Sequence, residues 1–397
     1  MAYTATTIDS ITNEVLRLAH EKASFIGTIN RQFDENFGSS SGKIGDTLRI
    51  RLPAQYTRRQ NSRVMDVQDS VEQNTTLVTA TQDGVDMAFN SREMKLDLQE
   101  FSKQHLDSAV STLISGVESD VLQGVTKEVY NLAGTAGTPP TDLVATGAAR
   151  AKLNQFLAPK DGNRCIQMDS VTMGGLVNGL KGLFQDSTQI KEQYREGMVG
   201  RTAMADFYEN ERVYYHTNGS DVTGVTLDTY TVTEGDTSLT VTGLSSAPTE
   251  GTVFTIAGVN AIHPETKADY GYLKQFVVGS GATTTNIPFT PAIYSSVSEG
   301  RQNVSALPAT TAALTFVGSA STAYAQNLMY HKDAFTFATA ELPMMGGAHS
   351  CGVKTWDGIS VRVWQDTDIR NDELLTRIDI LYGFKAIRPD WACRITS

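Results

Sequence analysis

Between Asp97 and Leu132 the chain places apolar residues at Phe101, Leu106, Val110, Leu113, Ile114, Val117, Val121, Val125 and Val129, with no proline among them. Steps of three, four and five put these residues on one stripe of a helix. Gly116 and Gly124 each weaken it by about 1 kcal/mol relative to alanine. A helix of this length runs ~54 Å at about 1.5 Å per residue, against a usual length of about 11–12 residues. That is too long for the middle of an ordinary small domain. A coiled coil needs heptad regularity and a second matching helix, and the chain offers neither. The stretch therefore reads as a spine that lies across a sheet built by other parts of the chain.

What precedes the spine has little apolar material of its own. Residues 1–43 begin with a helix whose one apolar face is Ile11, Val15 and Leu18, and end in Gly38-Ser-Ser-Ser-Gly42. They read as an arm that packs on something else. In residues 44–90, Leu48, Ile50 and Leu52 alternate with Arg49 and Arg51, and Val85, Met87 and Phe89 alternate on the way back. This predicts two strands of an extended hairpin, with Pro53 at a strand end. The hairpin cannot bury itself and needs a partner surface.

Beyond the spine, Thr141–Leu157 and Ser170–Phe184 read as helices, Arg164–Met168 as a short buried strand, Gln189–Gly200 as a loop and Ala205–His216 as strand-like. Composition shifts at residue 222. Through residue 306 Thr, Gly, Ser and Val dominate, and five short runs (Thr226–Thr233, Ser238–Leu244, Thr252–Val259, Tyr272–Val278, Thr284–Phe289) alternate with turn residues. This predicts a small all-β barrel or sandwich, inserted because the flanks are mixed in character. The C-terminal part is mostly strand. Ile359, Val361 and Val363, then Ile378, Ile380, Tyr382 and Phe384, mark a hairpin on which the spine can lie.

The 397 residues carry a net charge of -11, which argues against a sequence-independent nucleic-acid binder, since that requires a basic surface. Cys165, Cys351 and Cys393 are odd in number and far apart, a pattern of reduced, buried thiols rather than a disulfide framework. The N-terminal MAYTATTIDS lacks a signal pattern, and no run of about 18 apolar residues is present to span a membrane.

Chemistry-bearing motifs are weak. Gly38-Ser-Ser-Ser-Gly42-Lys43 is one residue short of a phosphate loop, and Ile44 stands where Ser or Thr would hold magnesium. It reads as a hinge. Asp366, Asp368, Arg370 and Asp372 imitate a calcium loop, but Asn371 replaces its glycine and Arg377 its final glutamate. That segment reads as a turn between strands. The six histidines have no zinc spacing, and His349 beside Cys351 is the one metal-like proximity. No G-x-S-x-G is present, and no cofactor is expected. The strongest charge feature is the arginine group Arg49, Arg51, Arg58, Arg59 and Arg63. Two readings stand: a solvated hairpin face, or docking onto an acidic surface, which the rest of the chain supplies in excess.

The order of these parts resembles a tailed-phage major capsid protein of the Hong Kong 97-type fold. Gly197-Met-Val-Gly200-Arg201 ahead of Phe207 resembles a family segment before a strand, and Phe384-Lys-Ala-Ile-Arg388-Pro389-Asp-Trp resembles the family's C-terminal strand. Gly251-Thr-Val-Phe-Thr-Ile-Ala-Gly258, His263-Pro and Leu273-Lys-Gln-Phe-Val-Val278 resemble the inserted barrel of the podovirus coat-protein branch. The resemblance implies an α+β fold, a spine helix on a sheet with an inserted all-β barrel. Its parts are an arm at residues 1–43, an extended two-stranded loop at 44–90, and a spine at 91–135. A central domain at 136–221 and 307–352 is interrupted by the barrel at 222–306, and C-terminal strands follow at 353–397.

The same resemblance implies a non-enzymatic protein that self-assembles through hexamers and pentamers into an icosahedral shell around double-stranded DNA. It is expected in the virion, assembled in the bacterial host cytoplasm. A separate scaffolding protein and a portal protein at one vertex are its implied partners, with no membrane. Arg58, Arg59 and Arg63 are then the candidate subunit-interface residues. Crosslinking by a Lys–Asn isopeptide bond, known in some members, is not expected, because the hairpin tip holds arginines and Gln60-Asn61 while Lys43 lies at its base. Net acidity suits a container whose wall repels packed phosphates. The alternatives are an encapsulin-like compartment and a mixed α/β enzyme with a β accessory domain; the missing catalytic constellation counts against the second.

Overall fold

The computed structural model describes residues 8–31, 47–56, 58–59, 63–65, 67, 73–90, 106–180, 201–202, 204–220, 223–229, 232–296, 300–347 and 349–397. The chain divides between two units. One takes Met1–Ile50, Thr75–Val121 and Phe335–Ile387, and the other Arg51–Asn74, Leu122–Ala334 and Arg388–Ser397.

The first described element is α1 (Ile8–Lys22), amphipathic as its spacing predicts, with Ile11, Val15, Leu16, Leu18 and Ala19 buried. β1 (Thr47–Leu52) stops at Pro53 and pairs with β2 (Gln73–Val78). β3 (Thr81–Asn90) follows directly but joins a different sheet. The alternation predicts two strands in residues 44–90, and the described residues of that range form three. The return strand breaks at Thr79-Ala80, and its second half pairs with the C-terminal hairpin.

The spine is α2 (Asp107–Glu128), 22 residues, about 33 Å long. The predicted stripe is the buried one: Leu106, Val110, Leu113, Ile114, Val117, Val121, Val125 and Val129. It ends earlier than predicted because Leu132 enters a strand; residues 97–105 lie outside the described residues. Glu118 is fully buried on this helix. Its carboxylate accepts from the Ser24 hydroxyl at 2.9 Å and, at close range, from the Phe25 backbone N–H. Two donors on one buried carboxylate offset its loss of water. Residues 24 and 25 are thereby tied to the spine, so the described part of the N-terminal arm packs on its own chain.

The larger unit holds a mixed sheet and the barrel. The sheet is assembled from β4 (Leu132–Gly134), β5 (Arg164–Met168), β6 (Arg201–Thr202), β7 (Ala205–Glu209) and β8 (Tyr215–Thr217), with two later strands. Helices α3 (Val144–Gln155) and α4 (Ser170–Leu180) accompany it. Ala149, Leu153, Met173 and Leu176 share a buried cluster with Ile166, Met168, Phe207 and Met329. β5 has the limits its apolar run predicts and is buried at every position. The predicted loop at 189–200 lies outside the described residues.

The barrel is closed, in the strand order β10 (Ser238–Thr242), β13 (Asn286–Thr290), β12 (Asp269–Val278), β11 (Val253–Ile262), β14 (Ala313–Phe316), β9 (Val225–Leu227). Its interior shows why these runs alternate. Leu239 and Val241 point in from β10 while Ser238 and Thr242 are exposed. Phe254, Phe276 and Phe289 meet at the centre with ring centroids 5.4–6.3 Å apart. A bulge between Thr255 and Asn260 contains Gly258 at φ +82, a left-handed conformation that suits glycine. The sixth strand lies past the residue-306 limit read from composition, because Ala313–Phe316 is too short to show its own alternation.

β15 (Ala323–His331) returns to the mixed sheet between β5 and β20 (Ala392–Thr396). β16 (Phe335–Ala340), β17 (Ser350–Trp356), β18 (Ile359–Asp368) and β19 (Glu373–Ala386) form the sheet of the smaller unit, with β3 on β19. α1 lies against β17 and β18. The carboxylate of Asp120 on α2 receives the Tyr382 hydroxyl of β19 at 3.2 Å, so the spine does meet the C-terminal hairpin. Cys165 and Cys393 are buried thiols as expected, whereas Cys351 is half-exposed on β17.

Candidate functional site

The hairpin loop carries the predicted site residues. Its base is anchored: Ile50 and Leu77 are buried with Ala338, and Leu48 and Ile387 pack against them. Past Leu52 the backbone of Gln55 and Tyr56 runs close by Gly300. Arg58, Arg59 and Arg63 are all exposed, and Arg59 folds back to donate, at close range, to the Val64 carbonyl. The same loop holds Tyr56, Val64, Met65 and Val67, which are 60%, 76%, 77% and 77% exposed. Single exposed apolar residues are ordinary. Four in one loop with three exposed arginines combine apolar surface and positive charge along the same segment. Sequence reasoning found the arginines and missed the apolar partners, whose signal was the Val64-Met65-Asp66-Val67 run next to Arg63.

Acidic residues surround the turn joining β18 and β19. Asp366 and Asp372 are exposed, Asp368 and Glu373 half-exposed, and Ile369 at the tip is 97% exposed. Asp368 accepts from the Arg370 backbone N–H at 2.8 Å and from the Asn371 amide at 2.9 Å. Its carboxylate thus braces the turn, as the sequence reading of this segment expects.

A second cluster joins the barrel to the mixed sheet. Lys274 of β12 is 2% exposed, and its ammonium lies 4.6 Å from the Tyr130 ring and 4.4 Å from the Phe156 ring. Burial brings this lysine down to about 7; the Asp390 carboxylate acts the other way and Lys152 reinforces the fall. Lys152 of α3 is also lowered by burial. It donates to the Leu132 carbonyl at 2.6 Å and, at close range, to Gln275 Oε1. The Gln275 side chain in turn grips both the N–H and the C=O of Leu132, at 2.9 and 3.2 Å. Tyr272 donates to Gln155 Oε1 at 2.7 Å. These contacts fasten one barrel strand to α3 and β4. Nothing in their spacing marked them as a group, since they come from four distant segments.

The glycine-rich Gly38–Lys43 stretch lies outside the described residues. Among the described residues no three His, Cys, Asp or Glu side chains gather as a metal site. No described helix is long and apolar enough to cross a membrane.

Residues 39–394 match the model of the family described as P22 coat protein, gene protein 5. No curated protein matches the chain. A solved chain of Mycobacterium phage Che8 shares the fold at 11% identity and a TM-score of 0.51, covering 94% of this chain and 90% of that one. A chain from the capsid structure of cyanophage P-SCSP1u is 12% identical with a TM-score of 0.44 over 89% of this chain and 83% of its own. The I-domain of the CUS-3 coat protein is 26% identical over 23% of this chain and 94% of its own, with a TM-score of 0.19. With the family model spanning almost the whole length, from the hairpin through the barrel to the last strand, this chain belongs to the P22 coat protein family and is a structural, self-assembling capsid component of a bacteriophage virion.

Proposed function

We propose that the chain forms an icosahedral shell of the Hong Kong 97 type around double-stranded DNA, and that the β1–β2 hairpin is the arm by which each copy holds its neighbour. One observation carries the second half of this reading. Past its anchored base, the hairpin exposes Tyr56, Val64, Met65 and Val67 beside Arg58, Arg59 and Arg63. Covering a Val or Met fully stabilises by about 1.5–3 kcal/mol, and a neighbouring copy is a surface available for this in a shell. The acidic turn around Ile369 offers the matching chemistry: carboxylates for the arginines and an exposed aliphatic tip for the valines. Hexamers and pentamers, a separate scaffolding protein, a portal protein at one vertex and assembly in the host cytoplasm belong to the same reading. They rest on the family resemblance.

Charge reversal tests the arm. A single exposed ion pair contributes only about 0–1 kcal/mol, but a shell repeats it in every subunit. Changing Arg58, Arg59 and Arg63 together to Glu is expected to leave circular dichroism and melting unchanged while abolishing closed particles in negative-stain images. Changing Asp366, Asp372 and Glu373 to Lys in the same chain, which leaves the Asp368 brace in place, is expected to restore particles. Normal shells from the triple arginine variant would show that the hairpin is only a solvated face.

A further inference from the structure

The stem of the barrel meets the mixed sheet around a small cavity of about 10 Å³, lined among others by Leu132, His216, Val253, Gln326, Arg394 and Thr396. Arg394 on β20 and Gln326 on β15 are 1% and 4% exposed. The Arg394 guanidinium donates from Nη1 to the Gly251 carbonyl at 2.7 Å and from Nη2 to the Lys127 carbonyl at 3.2 Å. Its Nε–H has no acceptor among the described residues. Gln326 donates from Nε2 to Thr396 Oγ1 at 3.3 Å, and its Oε1 has no donor among the described residues.

Other polar groups lining the cavity are already engaged. His216 Nε2 lies 2.9 Å from Thr252 Oγ1, a hydroxyl that itself donates to the Thr249 carbonyl at 2.7 Å. That hydroxyl must therefore accept from Nε2–H, which leaves His216 Nδ1 to accept from the Tyr214 hydroxyl at 3.2 Å. The ring is neutral, in keeping with a pKa lowered to about 4 by burial, with Arg394 and Lys127 adding to the fall. The Asn218 amide donates to the Val317 and Ser319 carbonyls at 2.8 and 3.2 Å. One buried donor and one buried acceptor are thus left over at the same cavity, and a buried polar group without a partner is costly.

We infer that this cavity holds one ordered water molecule that accepts from Arg394 Nε–H and donates to Gln326 Oε1, linking β20 to β15 beside the stem of the barrel. The chemistry selects water over an ion. A halide can accept from Arg394 but would face the negative end of the Gln326 carbonyl. A metal cation can bind that carbonyl but would face the guanidinium. Water alone supplies both polarities, and the free volume is on the order of one water molecule. The bridge would occupy the remaining donor of Arg394, whose Nη groups already hold Lys127 at the end of α2 and Gly251 just ahead of β11, and tie it to the middle of β15. The barrel's attachment would then be set by polar satisfaction as well as by apolar packing.

The test is a density map of the full-length protein at a resolution that shows ordered water, recorded in chloride and again in bromide. The expected result is a single peak within about 2.7–3.2 Å of both Arg394 Nε and Gln326 Oε1, unchanged in bromide and without bromine anomalous signal. An empty cavity overturns the inference, and so does an anomalous peak, which would mean that Gln326 presents its amide nitrogen to an anion. In Gln326→Leu the peak is expected to vanish; a peak of unchanged strength there would remove Gln326 as a ligand. Should that variant not fold, the two wild-type maps decide the question by themselves.

Discussion

Arg362 on β18 and Asp379 on β19 face each other as a buried two-pronged ion pair, Nε to Oδ1 at 3.0 Å and Nη2 to Oδ2 at 2.5 Å. Their side chains are 4% and 2% exposed. The Asp379 carboxylate also accepts from the Gln82 amide at 2.8 Å, and Arg362 Nη1 donates to the Pro343 carbonyl at 3.0 Å. Three strands and one loop therefore converge on a single charge pair. Asp379→Ala is expected to strand the guanidinium and destabilise by about 3–5 kcal/mol, whereas replacing both residues with apolar ones of similar volume is expected to cost far less. Urea unfolding of the three proteins measures this; a single variant within about 1 kcal/mol of wild type would show that the pair is not desolvated.

The barrel is expected to fold alone when all six strands are present. The Ser321 backbone N–H donates to the Gly219 carbonyl at 3.1 Å, so the chain enters and leaves at one point. A Gly219–Ser321 fragment should give a dispersed proton spectrum. A fragment of residues 222–306 lacks β14, leaving the β9 and β11 edges unpaired and the Phe254 side of the core open; it should be unfolded or aggregated. Equal spectra from both fragments would mean that closure is dispensable.

Stability should rise with pH above neutrality. Lys274 titrates at about 7 when folded against 10.5 for an ordinary lysine, so between these values the unfolded chain binds the extra proton. The slope is at most about 1.4 kcal/mol per pH unit from this group. Its neighbours also titrate: Lys152 is lowered and acts in the same direction, while Tyr272, raised to about 12, acts oppositely only above pH 10. Asp390, raised by burial, lowers stability as pH climbs through its range. Lys274→Met isolates the lysine: between pH 7.0 and about 8.5 its denaturation midpoint should rise less than that of wild type. Parallel pH curves would show that Lys274 keeps its proton when folded.

Val117→Asp tests the spine. Val117 is wholly buried, and an unpaired carboxylate in its place costs several kcal/mol against a total stability of roughly 5–15 kcal/mol. Loss of soluble protein is the expected outcome in expression trials. Normal yield with normal melting would place this face of α2 in contact with water.

Much of this fold could be read locally, and the residues show why. Val110 to Val129 announce a helix with one buried side because helical period and burial coincide. Leu239 and Val241 announce a strand for the same reason at period two. The Arg164–Met168 run carries its own limits in its apolar character. The arginines of the hairpin and the scarcity of apolar residues around them pointed to a segment that its own chain does not bury, and Tyr56, Val64, Met65 and Val67 are exposed there.

Other features required the chain to be folded. The break at Thr79-Ala80, the sixth barrel strand at Ala313–Phe316, and the packing of α1 on β17 and β18 depend on partners far away in the chain, and pairing across such distances leaves no local period. Lys274, Arg394 and Glu118 look like solvated charges in the sequence, because side-chain type predicts exposure for most charged residues. Each is buried here because rings, carbonyls or backbone N–H groups from other segments close around it. Sequence period thus determined which residues face a core, while tertiary structure decided which polar groups could be buried, since only the assembled chain supplies their partners.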